Sequence, residues 1–414
     1  MMLSRILPLS LVVVFGCVGS AAGQPAAPAR LAAPTADPVI AAAGDIACDP
    51  GDENFNGGAG TAQFCRQRHT ATLLSGVDAV LPLGDTQYFE GAASAYTLSY
   101  GPSWGQYKSI SRPAPGNHEY ASGSAGGYFT FFGALAGDPL KGYYSYDLGT
   151  WHLIALNSEC TFIGGCNVGS LQEIWLQADL AATSKECILA YWHKPRYSSG
   201  RYQSDPTYIP FWNVLDAAGA DVVLSGHDHD YERFAPQNSN AQADPNGIRQ
   251  FVVGTGGVGL RPFGDTAPNT EIRTSTAFGV LKLTLHATSY DWLFVRESGF
   301  EDPAVPFSDS GTAICGPPTA VGVSSFSAAR TGAATRLIWH TASESRALGF
   351  NLFRSQQGKR VRLNRVLIPA RGRARGARYG WLDRSAVRGQ ARYTLELVGV
   401  DGRARRVGSL VVPR

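Results

Sequence analysis

The chain has 414 residues, 44% hydrophobic and 17% charged, with a formal net charge of +3. This is the composition of an ordinary globular protein, neither disordered nor membrane-embedded, and its length allows two or three domains. The small net charge hides an asymmetry: residues 320–414 carry 19 Lys plus Arg against 4 Asp plus Glu (+15), leaving 36 − 19 = 17 against 33 − 4 = 29 (−12) for the rest. Two differently charged modules are implied.

The first residues combine Arg5, an apolar run from Ile6 to Gly16 and the small residues Ser20, Ala21, Ala22 and Gly23. That is the layout of a secretory signal, residues 1–23, and it predicts a secreted or periplasmic protein. The apolar run is too short to span a membrane, so no transmembrane segment is expected in the mature chain. A second reading places a lipid anchor on Cys17, because Val14-Phe-Gly-Cys17 loosely resembles a lipoprotein cleavage site. Residues 24–37, mostly Ala, Pro and small polar types, read as a linker.

Removing Cys17 leaves six cysteines, Cys48, Cys65, Cys160, Cys166, Cys187 and Cys315, an even number that suggests disulfides in an exported chain. Fifteen pairings are open to six cysteines. Cys48 with Cys65 and Cys160 with Cys166 would close short loops, leaving Cys187 for Cys315.

From Val39 the pattern is β-α-β. Val39 to Ala43, Ala79 to Leu83, Ile188 to Trp192 and Val222 to Leu224 read as buried strands, with Pro82 predicting an edge or bulged position for the second. A helix is predicted over Leu171 to about Ala182, with Ser170 and Glu173 as a capping box and Leu171, Ile174, Trp175 and Ala178 on one face. Arg249 to Val253, Phe278 to Leu285 and Ser289 to Val295 read as later antiparallel strands, so mixed sheets are expected.

Each of the four buried strands runs into a residue of ligand type: Asp45, Asp85, His193 and His227. In open α/β sheets the carboxyl ends of strands line one crevice, so these side chains are expected to converge there with Tyr88, Asn117, His118 and His229. Gly44, Gly84, Gly116 and Gly226 precede ligands, where the backbone must turn sharply close to an ion. Carboxylate, phenolate, amide and imidazole donors suit Fe(III), Zn(II), Mn(II) or Fe(II), and seven are too many for one catalytic ion. Two ions roughly 3.5–4 Å apart, bridged by one carboxylate, would clamp a phosphoryl oxygen and acidify a bound water to hydroxide that attacks phosphorus.

The ordered set Gly44-Asp45, Gly84-Asp85-Thr-Gln-Tyr88, Gly116-Asn-His-Glu119, His193 and Gly226-His-Asp-His229 resembles that of calcineurin-like metallophosphoesterases. Ala47 stands where the broader superfamily has a His, and Tyr88 follows Asp85 by three; this exchange resembles the purple acid phosphatase branch. The resemblance implies a four-layer α/β/β/α sandwich over residues 38–302 with mixed sheets. It implies Asp45, Tyr88 and His229 on a first metal and a bridging Asp85. Asn117, His193 and His227 would hold the second, and the two ions together would be Fe(III) and a divalent Zn, Fe or Mn. His118 would face a phosphoester substrate, as general acid or as a cation beside the developing charge. The first motif, Gly-Asp-Ile-Ala, and the fourth, Ala190-Tyr-Trp-His193, each lack a residue common in the family. The function implied is a phosphomonoesterase, with a phosphodiesterase or nucleotide hydrolase as the alternative at the same site. A cell-surface binding protein with a degenerate metal site is the alternative of another class.

His69, His152, His286 and His340 read as structural, and Arg233 as the partner of a carboxylate such as Glu232 or Asp230. Gly254-Thr-Gly-Gly-Val-Gly259 lacks the following helix that a dinucleotide loop needs and reads as a loop near the site. Residues 303–318 read as a linker and 319–414 as a small β-sandwich, whose stretch Trp339-His-Thr-Ala-Ser-Glu followed by Gly349-Phe-Asn-Leu-Phe-Arg-Ser resembles fibronectin type III-like modules. Its Arg371–Arg375 and Arg403–Arg406 clusters lack interleaved aromatics, which argues against nucleic acid and leaves an anionic cell-surface polymer as a partner to consider.

Overall fold

A computed structural model describes residues 37–299, 307–316 and, apart from 333, 343, 345–346, 372–375, 386–388 and 400–403, residues 323–413. The predicted signal, Cys17, nearly all of the linker that follows, residues 372–375 of the first arginine cluster and residue 403 of the second lie outside the described residues.

The strands are, in chain order, β1 (Val39–Ala43), β2 (Ala79–Pro82), β3 (Tyr144–Leu148), β4 (Trp151–Ala155), β5 (Cys187–Tyr191), β6 (Val222–Ser225), β7 (Tyr231–Phe234), β8 (Arg249–Val253), β9 (Thr270–Thr274), β10 (Gly279–Leu285), β11 (Ser289–Arg296) and β12 (Ser310–Ile314). They form a five-stranded sheet, order β12-β11-β10-β1-β2, and a seven-stranded one, order β3-β4-β5-β6-β8-β7-β9. β1 pairs with β2, and β4, β5, β6 and β8 pair successively, all in parallel, while the other pairs are antiparallel. Both sheets are therefore mixed. β2 ends its sheet, which tolerates Pro82.

The two sheets pack face to face through aromatic side chains. Tyr231 meets Phe294 at 4.3 Å between ring centroids, Trp151 meets Tyr290 at 5.8 Å and Phe251 meets Trp292 at 6.0 Å. On the outer face of the larger sheet the helices Leu171–Ala182 and Ile209–Ala218 bury Leu176, Leu180, Phe211, Trp212 and Leu215 against Ile188, Ala190, Val223 and Val252. Short helical segments cover the smaller sheet near β2 and β10. The result is the expected four-layer arrangement.

The helix Leu171–Ala182 turns a different face inward than its apolar residues predict. Leu171 and Ile174 are exposed, whereas Gln172, Glu173, Leu176 and Leu180 are buried. Gln172 fixes that rotation, since its Oε1 accepts from the Asn157 backbone N–H at 2.7 Å and its Nε2 donates to the Asn157 carbonyl at 2.9 Å. A satisfied buried amide outweighs the exposure of two aliphatic side chains. Ser170 caps the Glu173 N–H as expected, but the Glu173 carboxylate reaches back to the Gly169 N–H rather than to that of Ser170.

The span read as a linker, 303–318, contains β12 and the buried Asp309, which accepts from Tyr231 Oη at 2.6 Å and from Arg233 Nε at 2.7 Å. Cys315 is disulfide-bonded to Cys187 at the start of β5, 128 residues away. This closure restricts the unfolded chain and is worth about 2–5 kcal/mol. The two-sheet unit therefore runs to Cys315. Arg233 bonds Asp309 and Glu271, not Glu232 or Asp230, because neighbouring residues of a strand point to opposite faces. Cys48–Cys65 and Cys160–Cys166 are the other disulfides among the described residues.

Residues 323–413 build two further antiparallel sheets. One is β13 (Val323–Thr331), β14 (Ala334–Thr341) and β18 (Arg378–Asp383); the other is β16 (Lys359–Arg362), β15 (Ala347–Gln356), β19 (Ala391–Gly399) and β20 (Ala404–Val412), with β17 (Ile368–Pro369) also on β15. They enclose a core of Leu337, Trp339, Phe350, Leu352, Tyr393, Leu395 and Leu397, which is a small β-sandwich.

His152 sits between Asp147 (2.8 Å) and Asp179 (2.9 Å). Burial pushes its pKa down, but the hydrogen bonds to Asp179 and Asp147 outweigh burial and raise it above the usual histidine value. A raised folded-state pKa contributes stability that is fully present below the unfolded value of about 6.5 and is lost as pH rises through the folded value. His152→Gln is therefore expected to lose most stability relative to wild type at pH 5.5 and less at pH 8.5, as read by urea unfolding.

Candidate metal centre

The ends of β1, β2, β5 and β6 meet where the two sheets touch. The Gly44 N–H donates to the Val253 carbonyl at 2.8 Å, and the Gly226 N–H to that of His193 at 2.9 Å. Glycine is required here by space: a Cβ on Gly226 would lie 2.8 Å from Asp45 Oδ2 and 3.0 Å from the Leu83 carbonyl oxygen, and one on Gly116 would lie 2.3 Å from Asp85 Oδ1. Three predicted ligands, Asp45 (φ 60°), Asp85 (φ 47°) and His227 (φ 71°), occupy left-handed backbone conformations that cost non-glycine residues energy. Such strain persists where the surroundings over-determine it, and it clusters at functional sites.

The predicted residues come together. His193 Nε2 lies 3.1 Å from Asp85 Oδ2 and 3.2 Å from His227 Nδ1; His229 Nε2 lies 3.3 Å from Asp45 Oδ1. Tyr88 Oη stands among them, 2.9 Å from Asp45 Oδ1, 3.2 Å from Asp85 Oδ2 and 3.2 Å from His229 Nε2. Asp45, Asp85, Tyr88, His193 and His229 are all buried. The Asn117 Oδ1 is buried without a hydrogen-bond partner. The next residue, His118, donates its N–H to Asp85 Oδ1 at 2.8 Å, and an acceptor left unmade on that loop is what a cation would satisfy. Asp85, His193 and His227 bring ligand atoms within 4.8 Å of one another.

Backbone carbonyls orient the imidazoles. His193 Nδ1 is 2.8 Å from the Leu83 oxygen and His229 Nδ1 is 2.8 Å from the Gly259 oxygen, so each ring donates from Nδ1 and leaves Nε2 free to face the centre. His118 is held likewise, its Nδ1 2.7 Å from the Phe89 oxygen and its Nε2 3.8 Å from Asp85 Oδ2. These donor types and orientations fit a pair of hard to borderline ions.

The electrostatics are those of a site short of positive charge. Burial raises the Asp85 carboxyl's pKa, yet His193 and His118 outweigh it and hold that pKa far below the usual range; Asp45 is likewise lowered, chiefly by His229, against its burial. His193, despite burial, is pushed up to about 10 by Asp85 and Asp45. Two imidazoles 3.2 Å apart cannot both be charged, and burial together with His193 pushes His227 down to about 3. Tyr88 is raised, by burial first and then by both carboxylates.

Two supporting carboxylates had no role assigned from sequence. Glu119 is fully buried and accepts from the backbone N–H groups of Asp85 (2.9 Å), Thr86 (2.7 Å) and Gly116 (2.7 Å), tying the Asp85 and Asn117 loops together. Asp228, between two predicted ligands, faces away from them: it accepts from Ser198 Oγ and, at 2.9 Å, from the Tyr202 N–H. Glu119 lies inside the Asn-His-Glu motif and Asp228 inside His-Asp-His, so position in a motif was the available signal. Arg261 is also close, its N–H donating to the His229 carbonyl at 3.0 Å, with no local signal in the sequence.

Residues 38–231, a little under half of the chain, match the calcineurin-like phosphoesterase family. The chain is similar to Arabidopsis thaliana purple acid phosphatase 18, at 30% identity over 169 residues, and to purple acid phosphatase 21 of the same plant, at 30% over 167 residues. The matches cover 38% of this chain in each case, and 38% and 37% of those relatives. Human acid phosphatase type 7 matches at 28% over 142 residues, 30% of this chain and 32% of that protein. The fold matches that of a purple acid phosphatase from yellow lupin (Lupinus luteus) seeds, with a TM-score of 0.52 and 21% identity over 66% of this chain and 53% of that one.

Glu119→Gln keeps the shape but turns an amide N–H₂ toward backbone donors. It is expected to destabilise the metal-free protein by about 1–3 kcal/mol, measured by urea unfolding, and to weaken metal binding about 10–100-fold, measured by competition with a chelator.

Proposed function

We propose that the chain is an exported phosphatase working on small phosphomonoesters with two metal ions, probed best through the site just described. The observation that carries this reading is the convergence of Asp45, Asp85, Tyr88, His193, His227 and His229, with the buried, unpartnered Asn117 Oδ1 on the loop that Glu119 ties to Asp85. Asp45, Tyr88 and His229 would hold one ion, Asn117, His193 and His227 the other, and Asp85 would bridge. Fe(III) with a divalent Zn, Fe or Mn suits these donors. Such ions supply Lewis acidity toward phosphoryl oxygens and water.

The chain's own residues do the rest. The sheet junction keeps the ligand carboxylates dry, which strengthens every charge interaction with a bound phosphoryl group. His118, about a quarter exposed and anchored through Nδ1, offers Nε2 to the leaving oxygen. Protonated there, it transfers a proton to the departing alkoxide or stabilises its charge. Three disulfides support export, because such bonds persist in oxidising compartments. Among the described residues no helix is long and apolar enough to cross a membrane.

Metal analysis and hydrolysis of 4-nitrophenyl phosphate test the reading together. Wild type is expected to carry two ions and turn over the ester, with Asp85→Ala losing activity about 10²–10³-fold or more; a fully metallated, inert wild type overturns it. Tyr88→Phe tests the iron assignment separately. The variant is expected to lose a visible phenolate-to-Fe(III) absorption band, and a colourless, iron-free, active wild type rules that assignment out.

A further inference from the structure

We propose that Tyr202 and Arg261 form a wall of the substrate site that selects phosphoesters whose leaving group carries an aromatic ring. This rests on the phosphatase reading above and names its substrate class.

The Tyr202 ring stacks on His227, with centroids 4.4 Å apart and planes 22° from parallel, yet 51% of the residue remains exposed. An aromatic ring in contact with a ligand imidazole and half open to solvent lies at the mouth of the site. Arg261 joins it: Nη1 donates to Tyr202 Oη at 3.1 Å, the guanidinium carbon is 5.6 Å from the ring centroid, and its charge acts on the Tyr88 phenol. A planar cation and a phenol ring side by side suit an anionic ester with a flat apolar group attached. Another aromatic side chain lines the flank beside His118, where Phe89 is 53% exposed and 6.2 Å from the His118 ring.

The wall is built into the fold. Asp228 accepts from the Tyr202 N–H and from Ser198 Oγ, and a Cβ on Gly200 would lie 2.2 Å from the Asp228 carboxyl carbon, so the 198–202 turn is pressed onto the loop that carries His227 and His229. The Arg261 loop is tied to both. Its Gly259 carbonyl holds His229 Nδ1, the Arg261 N–H bonds the His229 carbonyl, and the Gly264 N–H donates to the Ser199 carbonyl at 2.8 Å. The residues that orient the centre thus also position the wall. A phosphate group alone has no use for the exposed rings; a stacked leaving group does.

Equilibrium binding of two phosphonates to the metal-loaded protein isolates the ring. By calorimetry, wild type is expected to prefer phenylphosphonate over methylphosphonate, and Tyr202→Ala to reduce that ratio of Kd values about tenfold. Tyr202→Phe, which keeps the ring, is expected to retain the preference, and Arg261→Gln to weaken both ligands. An unchanged ratio in Tyr202→Ala with full metal content overturns the aromatic wall, and unchanged affinities in Arg261→Gln remove the arginine from it. Kinetics of the same variants on 4-nitrophenyl phosphate, a nucleoside 5′-monophosphate and glycerol 2-phosphate separate the sources of the ring. Selectivity lost for the nitrophenyl ester supports an aryl group, and selectivity lost for the nucleotide supports a base. A wild type that binds both phosphonates but hydrolyses none of the esters refutes the phosphatase reading instead, leaving the binding ratio to judge the wall.

Discussion

The architecture of the two-sheet unit depends on two carboxylates, Asp45 and Asp85, being held close together out of water. Each is buried, and both lie within hydrogen-bond distance of one phenol oxygen. Like charges so placed repel, and burial disfavours each of them. His193, whose pKa Asp85 and Asp45 raise, relieves part of that cost, and metal ions would relieve more. Everything nearby serves this juxtaposition: the glycines that let the strand ends touch, the left-handed backbone at three predicted ligands, and the carbonyls of Leu83 and Gly259 that aim the imidazoles inward.

Support for the site comes in two parts that divide the work. Glu119 gathers the backbone N–H groups of the Asp85 and Asn117 loops into one carboxylate, which fixes the carboxylate side of the centre. Asp228 does the converse: set between two histidines that face inward, it points outward and secures the turn carrying Tyr202. Buried carboxylates of this kind are costly unless fully satisfied, and Glu119 and Asp228 each accept several hydrogen bonds. The conformation of the turn that carries Tyr202 is thereby linked to that of the loop that carries His227 and His229.

Much of the fold was legible because strands that end in a ligand type leave a double signature, an apolar run followed by Gly and a polar residue. That signature located β1, β2 and β6 within a residue or two, and the apolar run ending at His193 located β5 without a glycine. It failed where burial was decided by polar groups. In the helix Leu171–Ala182, the buried position of Gln172 overrode an apolar face containing Leu171 and Ile174. The segment read as a linker failed for a related reason. Its small and polar composition resembles an irregular connector, yet β12 is an edge strand whose stability comes from β11, Asp309 and the disulfide at Cys315, none of which is local.

By itself the sequence determined the donor inventory and its order, since ligand chemistry resides in residue types and Asp45, Asp85, Asn117 and His227 each follow a glycine that marks a sharp turn. It likewise determined the charge difference between the catalytic and C-terminal modules. Only the tertiary structure decided which groups meet: that Asp309 rather than Glu232 or Asp230 answers Arg233, that Glu119 binds two loops, and that Tyr202 and Arg261 stand together at the mouth of the centre. The physical reason is range. Strand and turn preferences act over a few residues, whereas hydrogen bonds and stacking at this site join positions that chain order separates by as many as 182 residues.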